Sequence, residues 1–429
     1  MSSPWTALKL HPSLVVTLPK IGLKSPTAVQ EEAIPPLLQG KDILIHAETG
    51  SGKTAAFVLP MLDRLYRDPR GIFGVVIVPT REIALQTAEQ IRLLGNNNTV
   101  RCACAVGGVD YVAQKREIEE APHFIVGTPG RLCEQLKNSD KARKYLRNIE
   151  WVVMDEADKL LEPSLMHFVK EILAMIGKKV QRVYCTATVD ESEVSRLETV
   201  GGGKILRVGQ HRAMELARAV TLRYLLMPLH VRDCYFVHLL NQFKGNDIMV
   251  FINSVERAHL VYRYLSILKM EVVILHSFLT QAARTKAISM FKNQQARIFI
   301  TTDIASRGID IKTVDIVINY DLPRDHRDFV HRVGRTARGG RVGLAISLVT
   351  QSSVGRLKTI EAGLGIEMTA QDLDEESALK GMSSVLKSIK QAEMDISTKG
   401  EDLFFQKIRE RKEQFRGMLQ KRRPDNIIE

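Results

Sequence analysis

The segment Ala47-Glu-Thr-Gly-Ser-Gly-Lys-Thr54 carries the most readable chemistry in this chain. It follows the apolar run Asp42–Ile45 and precedes a helix-like stretch. That is the strand, glycine turn and helix of a P-loop, with Ala47 where the common pattern begins on glycine. Gly50 and Gly52 let backbone N–H groups curl around phosphate oxygens, and the following helix adds its positive dipole end. Ala47, Thr49 and Ser51 complete the cradle, Lys53 reaches the phosphates, and Thr54 offers a hydroxyl to Mg²⁺. The bland alternative, a Gly/Ser turn that happens to precede Lys53, does not explain the strand and helix on either side. Downstream, Asp155-Glu-Ala-Asp158 comes directly after the apolar run Trp151–Met154. An acid at the C-terminal end of a buried strand stands where a P-loop enzyme makes its second Mg²⁺ contact. Asp155 is expected to hold the metal through water, because Mg²⁺ dehydrates reluctantly. Glu156 is then placed to orient and deprotonate an attacking water. The competing reading is an acidic helix start favoured by its dipole alone; the P-loop upstream speaks against it.

Short β-branched runs must position these groups. Asp42–Ile45, Phe73–Val78, Phe124–Val126, Trp151–Met154 and Arg182–Cys185 alternate with helix-like stretches such as Glu82–Leu94. The rhythm restarts with Ile248–Ile252, Val272–Leu275, Arg297–Thr301, Ile316–Asn319 and Leu344–Val349. Apolar strands alternating with helical periods predict parallel sheets covered on both faces, here in two α/β domains. The expected division is 1–207, 208–365 and a charged, helical tail, 366–429, with Gly201-Gly-Gly203 and the sequence after it as a credible linker. Glu401–Lys421 places Phe404, Ile408, Phe415 and Leu419 on one helical face. The second series carries Asn253-Ser-Val-Glu-Arg257 after the run Ile248–Ile252, and no Gly-Lys-Thr. It is not expected to bind its own nucleotide in P-loop fashion.

Composition narrows the class. Of 429 residues, 45% are apolar and 26% charged, which excludes a disordered chain. No apolar run approaches the ~18 residues of a membrane span, and Met1-Ser-Ser-Pro4 opens no secretory signal. The five cysteines include only one close pair, Cys102 and Cys104, so reduced thiols are expected rather than a disulfide framework or a zinc site. The net charge is +12. Residues 1–207 hold 27 basic and 24 acidic side chains, residues 208–365 hold 22 and 12, and the tail holds 12 and 13. The middle segment is therefore where a polyanion-binding surface is expected.

With Ala47–Thr54 and Asp155–Asp158 in place, the chain resembles the DEAD-box RNA helicases of superfamily 2, from about Trp5 to Val349. The resemblance implies two tandem RecA-like P-loop domains with parallel sheets, plus a helical C-terminal tail, and ATP with Mg²⁺ as the nucleotide and metal. It implies that Gly22-Leu-Lys-Ser-Pro-Thr-Ala-Val-Gln30 reads adenine, through Lys24 and above all the Gln30 amide, which can donate and accept together. Trp5 stands where the family usually has a stacking Phe. Pro79-Thr-Arg81, Gly107-Gly108 and Thr128-Pro-Gly-Arg131 correspond to contacts with the RNA backbone, which give affinity without sequence choice. In these clusters Pro79, Thr80, Thr128, Pro129 and Gly130 accompany the two arginines. Read singly, each cluster is an ordinary turn.

In the second domain, Gln281 and Arg284 correspond to an RNA-phosphate grip. Within Thr301–Asp310, Thr302 and Asp303 correspond to RNA contacts, and Gly308 and Asp310 to nucleotide contacts. His331-Arg-Val-Gly-Arg-Thr-Ala-Arg338 implies arginine fingers at Arg335 and Arg338, with Ala337 where Gly is usual, and a coupling histidine at His331. Asp158, Thr186 and Thr188 would couple hydrolysis to strand separation, although Thr186-Ala-Thr188 departs from the usual Ser-Ala-Thr. By this resemblance the ATP contacts are shared between domains, so ATP and RNA are expected to favour one another's binding.

Within the family, Gly71-Ile-Phe73, Tyr224-Leu-Leu-Met-Pro228 and Val231-Arg-Asp-Cys-Tyr-Phe-Val-His238 are most similar to members acting in small-subunit ribosome assembly. The expected activity is ATP-dependent unwinding of short RNA duplexes by a monomer working with pre-ribosomal particles in the nucleus, in the nucleolus rather than the cytoplasm. An ATP-gated RNA clamp without unwinding needs the same motifs and stays open as the alternative. A DNA translocase or kinase is disfavoured by Gln30 and Asp155–Asp158. Lys421-Arg-Arg-Pro424 reads as a nuclear address or as a solvated helix end.

Overall fold

The computed structural model describes residues 3–47, 50–69, 72–96, 99–177, 179–187, 191–209, 220–303, 311, 313–336 and 343–398. They form two compact units that part between Arg218 and Ala219. The first is built on β1 (Ile43–His46), β2 (Gly74–Ile77), β3 (Cys102–Ala105), β4 (Phe124–Gly127), β5 (Trp151–Asp155), β6 (Gln181–Thr186) and β7 (Leu206–Val208). Their order across the sheet is β3-β4-β2-β5-β6-β1-β7, and each pairing is parallel. Because side chains alternate across a strand, each strand feeds two cores. Ile43, Ile45, Val76 and Val153 enter one core, while Leu44, Val75, Ile77 and Val152 enter the other. Helices on both faces seal these cores, the arrangement that apolar parallel strands require.

The second unit comprises β8 (Val220–Leu226), β9 (Ile248–Phe251), β10 (Val272–Leu275), β11 (Ile298–Thr301), β12 (Ile316–Asn319), β13 (Gly343–Val349) and β14 (Thr369–Ala370). Its order, β10-β11-β9-β12-β13-β8-β14, repeats the first unit's position for position. Its pairings are parallel as well. Thus β8 occupies the place of β1, β9 that of β2, and β12 that of β5.

Two sequence expectations change here. First, β3, β7, β8 and β14 are strands that the apolar rhythm did not reveal. Cys102-Ala-Cys-Ala105 is built from small residues, and β8 is half solvent-facing, with Thr221 and Leu226 exposed. The strand equivalent to the P-loop strand is therefore β8, followed by Met227-Pro228, and Asn253–Arg257 stands at the position equivalent to Pro79–Glu82 instead. Second, the boundary between the units lies after the glycine run Gly201–Gly203, in the sequence that follows it. Gly201 ends the helix Glu191–Gly201, and β7 then joins the first sheet with Val208 opposite Ile45. The tail is helical as expected: it contains helices Glu375–Lys380 and Met382–Thr398, which are packed into the second unit. Val385 and Ala392 enter its core, and Asp395 pairs with Arg263 at 3.4 Å. The expected helix Glu401–Lys421 lies outside the described residues. Among the described residues, no helix is long and apolar enough to cross a membrane.

Candidate nucleotide and RNA sites

The first sheet order places the chemistry at its C-terminal edge and divides that edge in two. Strands β5, β6 and β1 are neighbours and end in the acid motif, Thr186 and the P-loop; β3, β4 and β2 are neighbours and end in the three RNA-type clusters.

In the nucleotide half, Gly50 and Gly52 both have left-handed backbones, with φ of 86° and 96°. Glycine is the residue that tolerates this without strain. A side chain at 52 would also collide with Gln30, its Cβ lying 2.5 Å from Nε2. Gly52 caps the helix Lys53–Arg67, so Lys53 and Thr54 open that helix. The Lys53 ammonium donates to the Ala47 carbonyl. Burial pushes the Lys53 ammonium down from its usual value, opposed by the charges of Asp155 and Glu156. Burial likewise pushes the Asp155 carboxyl up, and Lys53 tempers the rise. The site is thus built to receive further charge. Thr49 lies outside the described residues.

Asp155 ends β5 and accepts from the Glu156 N–H at 3.0 Å. Glu156 itself adopts a left-handed conformation, φ 52°, turning the chain from strand into the short helix Ala157–Leu160. Strain of this kind in a non-glycine residue gathers at functional sites. In that helix, buried Asp158 accepts from the hydroxyl of buried Thr186 at 3.0 Å. The hydroxyl that Thr shares with Ser is the group in use, so the departure from Ser-Ala-Thr preserves this bond. Thr188 lies outside the described residues.

The adenine-reading segment changes in detail. Gln30 is buried; its Oε1 accepts from the Thr27 N–H at 2.9 Å, and its Nε2 donates to the Gly52 carbonyl at 3.1 Å. Thr27 adds a hydroxyl bond to the Ser51 carbonyl at 2.9 Å. Gln30 therefore buttresses the P-loop, leaving one N–H and one lone-pair site for a base. Trp5 does not stand ready to stack. It is 0% exposed, in the core with Leu14 and Leu18, and its indole N–H is given to the Leu23 carbonyl at 2.9 Å. Its large apolar area is better stabilised by the core than by an open site, and it braces the segment that carries exposed Lys24.

In the other half, Thr80 caps the helix Arg81–Leu94, accepting from the Ile83 N–H. The Arg81 guanidinium lies over Gly107 and Gly108: a Cβ at 107 would stand 2.9 Å from Nη2. Gly108 has φ 79°, which favours glycine, and a Cβ there would push the end of the Arg81 side chain aside. Arg131 donates to the Val109 carbonyl at 3.4 Å and stacks 5.4 Å from the Tyr111 ring. Thr128 and Pro129 begin the helix Pro129–Lys137. A Cβ at Gly130 would meet only ordinary contact with Phe168, at 3.7 Å, so packing does not demand glycine there.

The second unit gathers its motifs around a residue that the sequence reading passed over. Arg332 is 1% exposed on the helix His326–Val333. It binds both Asp303 carboxylate oxygens at 2.6 and 2.7 Å, Asn253 Oδ1 at 2.7 Å, Asn319 Oδ1 at 3.2 Å and the Asp321 carbonyl at 2.6 Å. One planar fork thereby ties together the ends of β9, β11 and β12. The signal was helical spacing: Arg332 follows buried Phe329 by three residues and so faces the core. The half-buried Asp303 carboxylate thus has both oxygens on Arg332. Thr302 is buried.

Arg284 is 4% exposed and donates to the His276 carbonyl at 2.8 Å, pinning the loop before the helix Gln281–Lys292. Gln281 and His331 are half-buried. Arg335 is 5% exposed. Gly308, Asp310 and Arg338 lie outside the described residues.

Comparison with known proteins now decides the family. Residues 27–197 match the DEAD/DEAH box helicase model, and residues 232–340 match the helicase conserved C-terminal domain. The chain is 41% identical over 380 residues to the ATP-dependent RNA helicase DBP8 of Yarrowia lipolytica, covering 87% of this chain and 86% of that protein. The chain belongs to the DEAD-box ATP-dependent RNA helicases. A second relative of this DEAD-box protein, the ATP-dependent rRNA helicase RRP3 of Coccidioides immitis, is 40% identical over 368 residues, covering 86% of this chain and 77% of that protein. Among solved structures, Saccharomyces cerevisiae Dbp5 bound to RNA and ADP BeF3 is 28% identical and covers 90% of this chain and 100% of its own, with a TM-score of 0.78. The helicase described here is thus an ATP-hydrolysing enzyme with two RecA-like domains.

Proposed function

We propose that this helicase unwinds short RNA duplexes during ribosome assembly, working as a monomer on pre-ribosomal RNA in the nucleolus. The observation that carries the reading is the divided edge of the first sheet. The phosphate loop and acids sit at the ends of β5, β6 and β1, beside the backbone-binding clusters at the ends of β3, β4 and β2. The names of the rRNA helicase relatives support the ribosomal assignment.

In this reading Lys53 and the N–H groups of Gly50–Gly52 hold the phosphates, and Gln30 offers its remaining donor and acceptor to adenine. Among the described residues, no cluster of three or more His, Cys, Asp or Glu side chains could hold a metal ion unaided. The hard oxygens of Thr54 and Asp155 suit Mg²⁺, which keeps much of its water; when bound, the ion neutralises phosphate charge. Glu156 orients the attacking water and takes its proton. Arg335 and Arg338 supply positive charge to the transferring phosphoryl. The Thr186–Asp158 bond links the acid motif to β6, and with it hydrolysis to strand separation, while Arg81, Arg131 and the paired glycines hold the RNA backbone.

The test is ATP turnover with and without RNA for wild type and Glu156→Gln, together with release of a labelled strand and crosslinking of the protein to RNA in cells. RNA-stimulated turnover, strand release and recovery of pre-rRNA are expected. Turnover that is indifferent to RNA and to Glu156→Gln overturns the mechanism. RNA retention without strand release makes the protein a clamp, and recovery of other RNA classes overturns the ribosomal assignment.

A further inference from the structure

The first unit holds a large cavity on the edge opposite the nucleotide and RNA sites. Its volume is about 1230 Å³, and its lining includes Gly40, Ile72, Trp151 and Gln181. These residues lie at or just before the N-terminal ends of β1, β2, β5 and β6, which are neighbours in the sheet. At ~3.3 Å per residue, strands of four to six residues hold the two edges well apart. RNA laid along the C-terminal edge does not reach this cavity. The volume exceeds the ~300–1,000 Å³ usual for a small-molecule pocket.

The charges in this cavity are unequal. Both acids of the lining are engaged: Asp63 accepts from Arg67 at 2.9 Å and from the His11 N–H at 2.6 Å, and Glu150 accepts from Arg64 at 3.3 Å. Lys9, Arg147 and Lys179 stand exposed around the rim. The basic surface continues onto the adjoining helix Asp140–Leu146, where Lys141 and Lys144 are exposed. Between the cations the walls are apolar: exposed Ala7 and Pro35, half-buried Leu38, and Tyr145, which leaves 38% of its surface in solvent. A rim of cations over an apolar floor complements carboxylates spaced by apolar side chains. Nucleic acid lacks such side chains, and a single exposed tyrosine is a poor stacking platform for successive bases.

We infer that this cavity docks an extended acidic segment, carrying apolar or aromatic side chains, of a protein partner. The segment occupies the far end of the helix Lys53–Arg67, whose first residue lies in the nucleotide site, so it binds without displacing ATP or RNA. Lys9, Arg147 and Lys179 pair with its carboxylates, and Tyr145 and Leu38 cover its apolar side chains.

A displayed library of random linear peptides, panned against the full chain with excess oligo(U) present, tests this. The recovered peptides should be rich in Asp and Glu interspersed with Leu, Phe or Tyr. By fluorescence anisotropy, their affinity should fall about tenfold or more in Lys9→Glu/Arg147→Glu/Lys179→Glu, and by a smaller factor in the corresponding Gln variant. RNA-stimulated ATP turnover and melting temperature should stay at wild-type values in both. Recovery of peptides without acidic enrichment, or undiminished binding to the charge-reversed chain, overturns the inference. A matching loss of oligo(U) affinity in that chain makes RNA the occupant and overturns it too. Wild-type RNA-stimulated turnover is measured independently, so failure here leaves the helicase reading untouched.

Discussion

The two units mount seven strands in the same order and use the equivalent strand ends for opposite purposes. After β1 the chain enters a glycine turn of the kind whose N–H groups curl around an anion, and it leads into Lys53. After β8, in the same place, it enters Met227-Pro228, and proline has no N–H to offer. In the first unit the polar groups at the strand ends stay poised: burial pushes Lys53 and Asp155 toward neutrality, a tendency that bound phosphate and metal would reverse. In the second unit, four side chains or carbonyls from neighbouring strand ends close on buried Arg332. The same topology therefore yields a reaction site where a glycine turn and a buried lysine follow the strand end, and a brace where an internal arginine ties the strand ends together.

The largest effect that can break this contrast lies in the first unit. Glu156→Gln is expected to lower RNA-stimulated kcat by ~10²–10⁴-fold while RNA affinity holds, as read by turnover and filter binding. In the second unit the corresponding blow falls on stability. Arg332→Ala removes a fully buried cation and leaves half-buried Asp303 and the Asn253 and Asn319 amides without that shared donor, and is expected to cost about 3 kcal/mol in denaturant unfolding. Arg332→Lys should rescue little, because an ammonium cannot reproduce the fork. Comparable ATPase loss without destabilisation in Arg332→Ala would erase the distinction between brace and site.

Acid should act on the second unit by a separate route. Burial, with His259 and Arg284 nearby, pushes the His276 imidazole down to about 3. Its unfolded-state pKa is ~6.5, so between these values the unfolded chain binds the extra proton. Stability is full above that upper value and falls with decreasing pH, by at most ~1.4 kcal/mol per pH unit. Urea midpoints at pH 7 and pH 5 should show this slope, and His276→Gln should flatten it.

Smaller still, Thr186→Val deprives Asp158 of its hydroxyl partner and should cost about 1–3 kcal/mol. Thr186→Ser should be near neutral, and strand release should suffer more than ATP turnover in the Val variant. Least of all, Gly108→Ala must displace the Arg81 guanidinium; oligo(U) affinity should weaken several-fold, with ATP binding unchanged.

The P-loop, the acid motif and the three RNA-type clusters were legible because each follows an apolar run directly with a sharp change of composition, whereas Gln30, Arg284 and His331 stand on helices and were placed by resemblance. Strands of the central sheet were legible for the same reason, being buried on both faces. The strands missed were β3, β7, β8 and β14, whose residues are small, few or half solvent-facing, so their pattern is weak until a neighbour pairs with them. Trp5, Asp303 and Arg284 were placed by resemblance in contact with ligand, and the structure gives each a bracing role. Arg332 carried a signal in its helical spacing from Phe329, but it stood inside a motif already credited to its neighbours.

Residue types and spacing alone determined the chemistry: a glycine turn before Lys53, acids after a buried strand, and basic and glycine clusters in fixed succession. Those are local properties, carried by backbone conformation and side-chain chemistry within a few residues. The tertiary structure decided which polar groups remain available. Availability depends on partners distant in sequence, as with Asp303 and Arg332, or Gln30 and Gly52, and only the packed sheet brings those partners within reach.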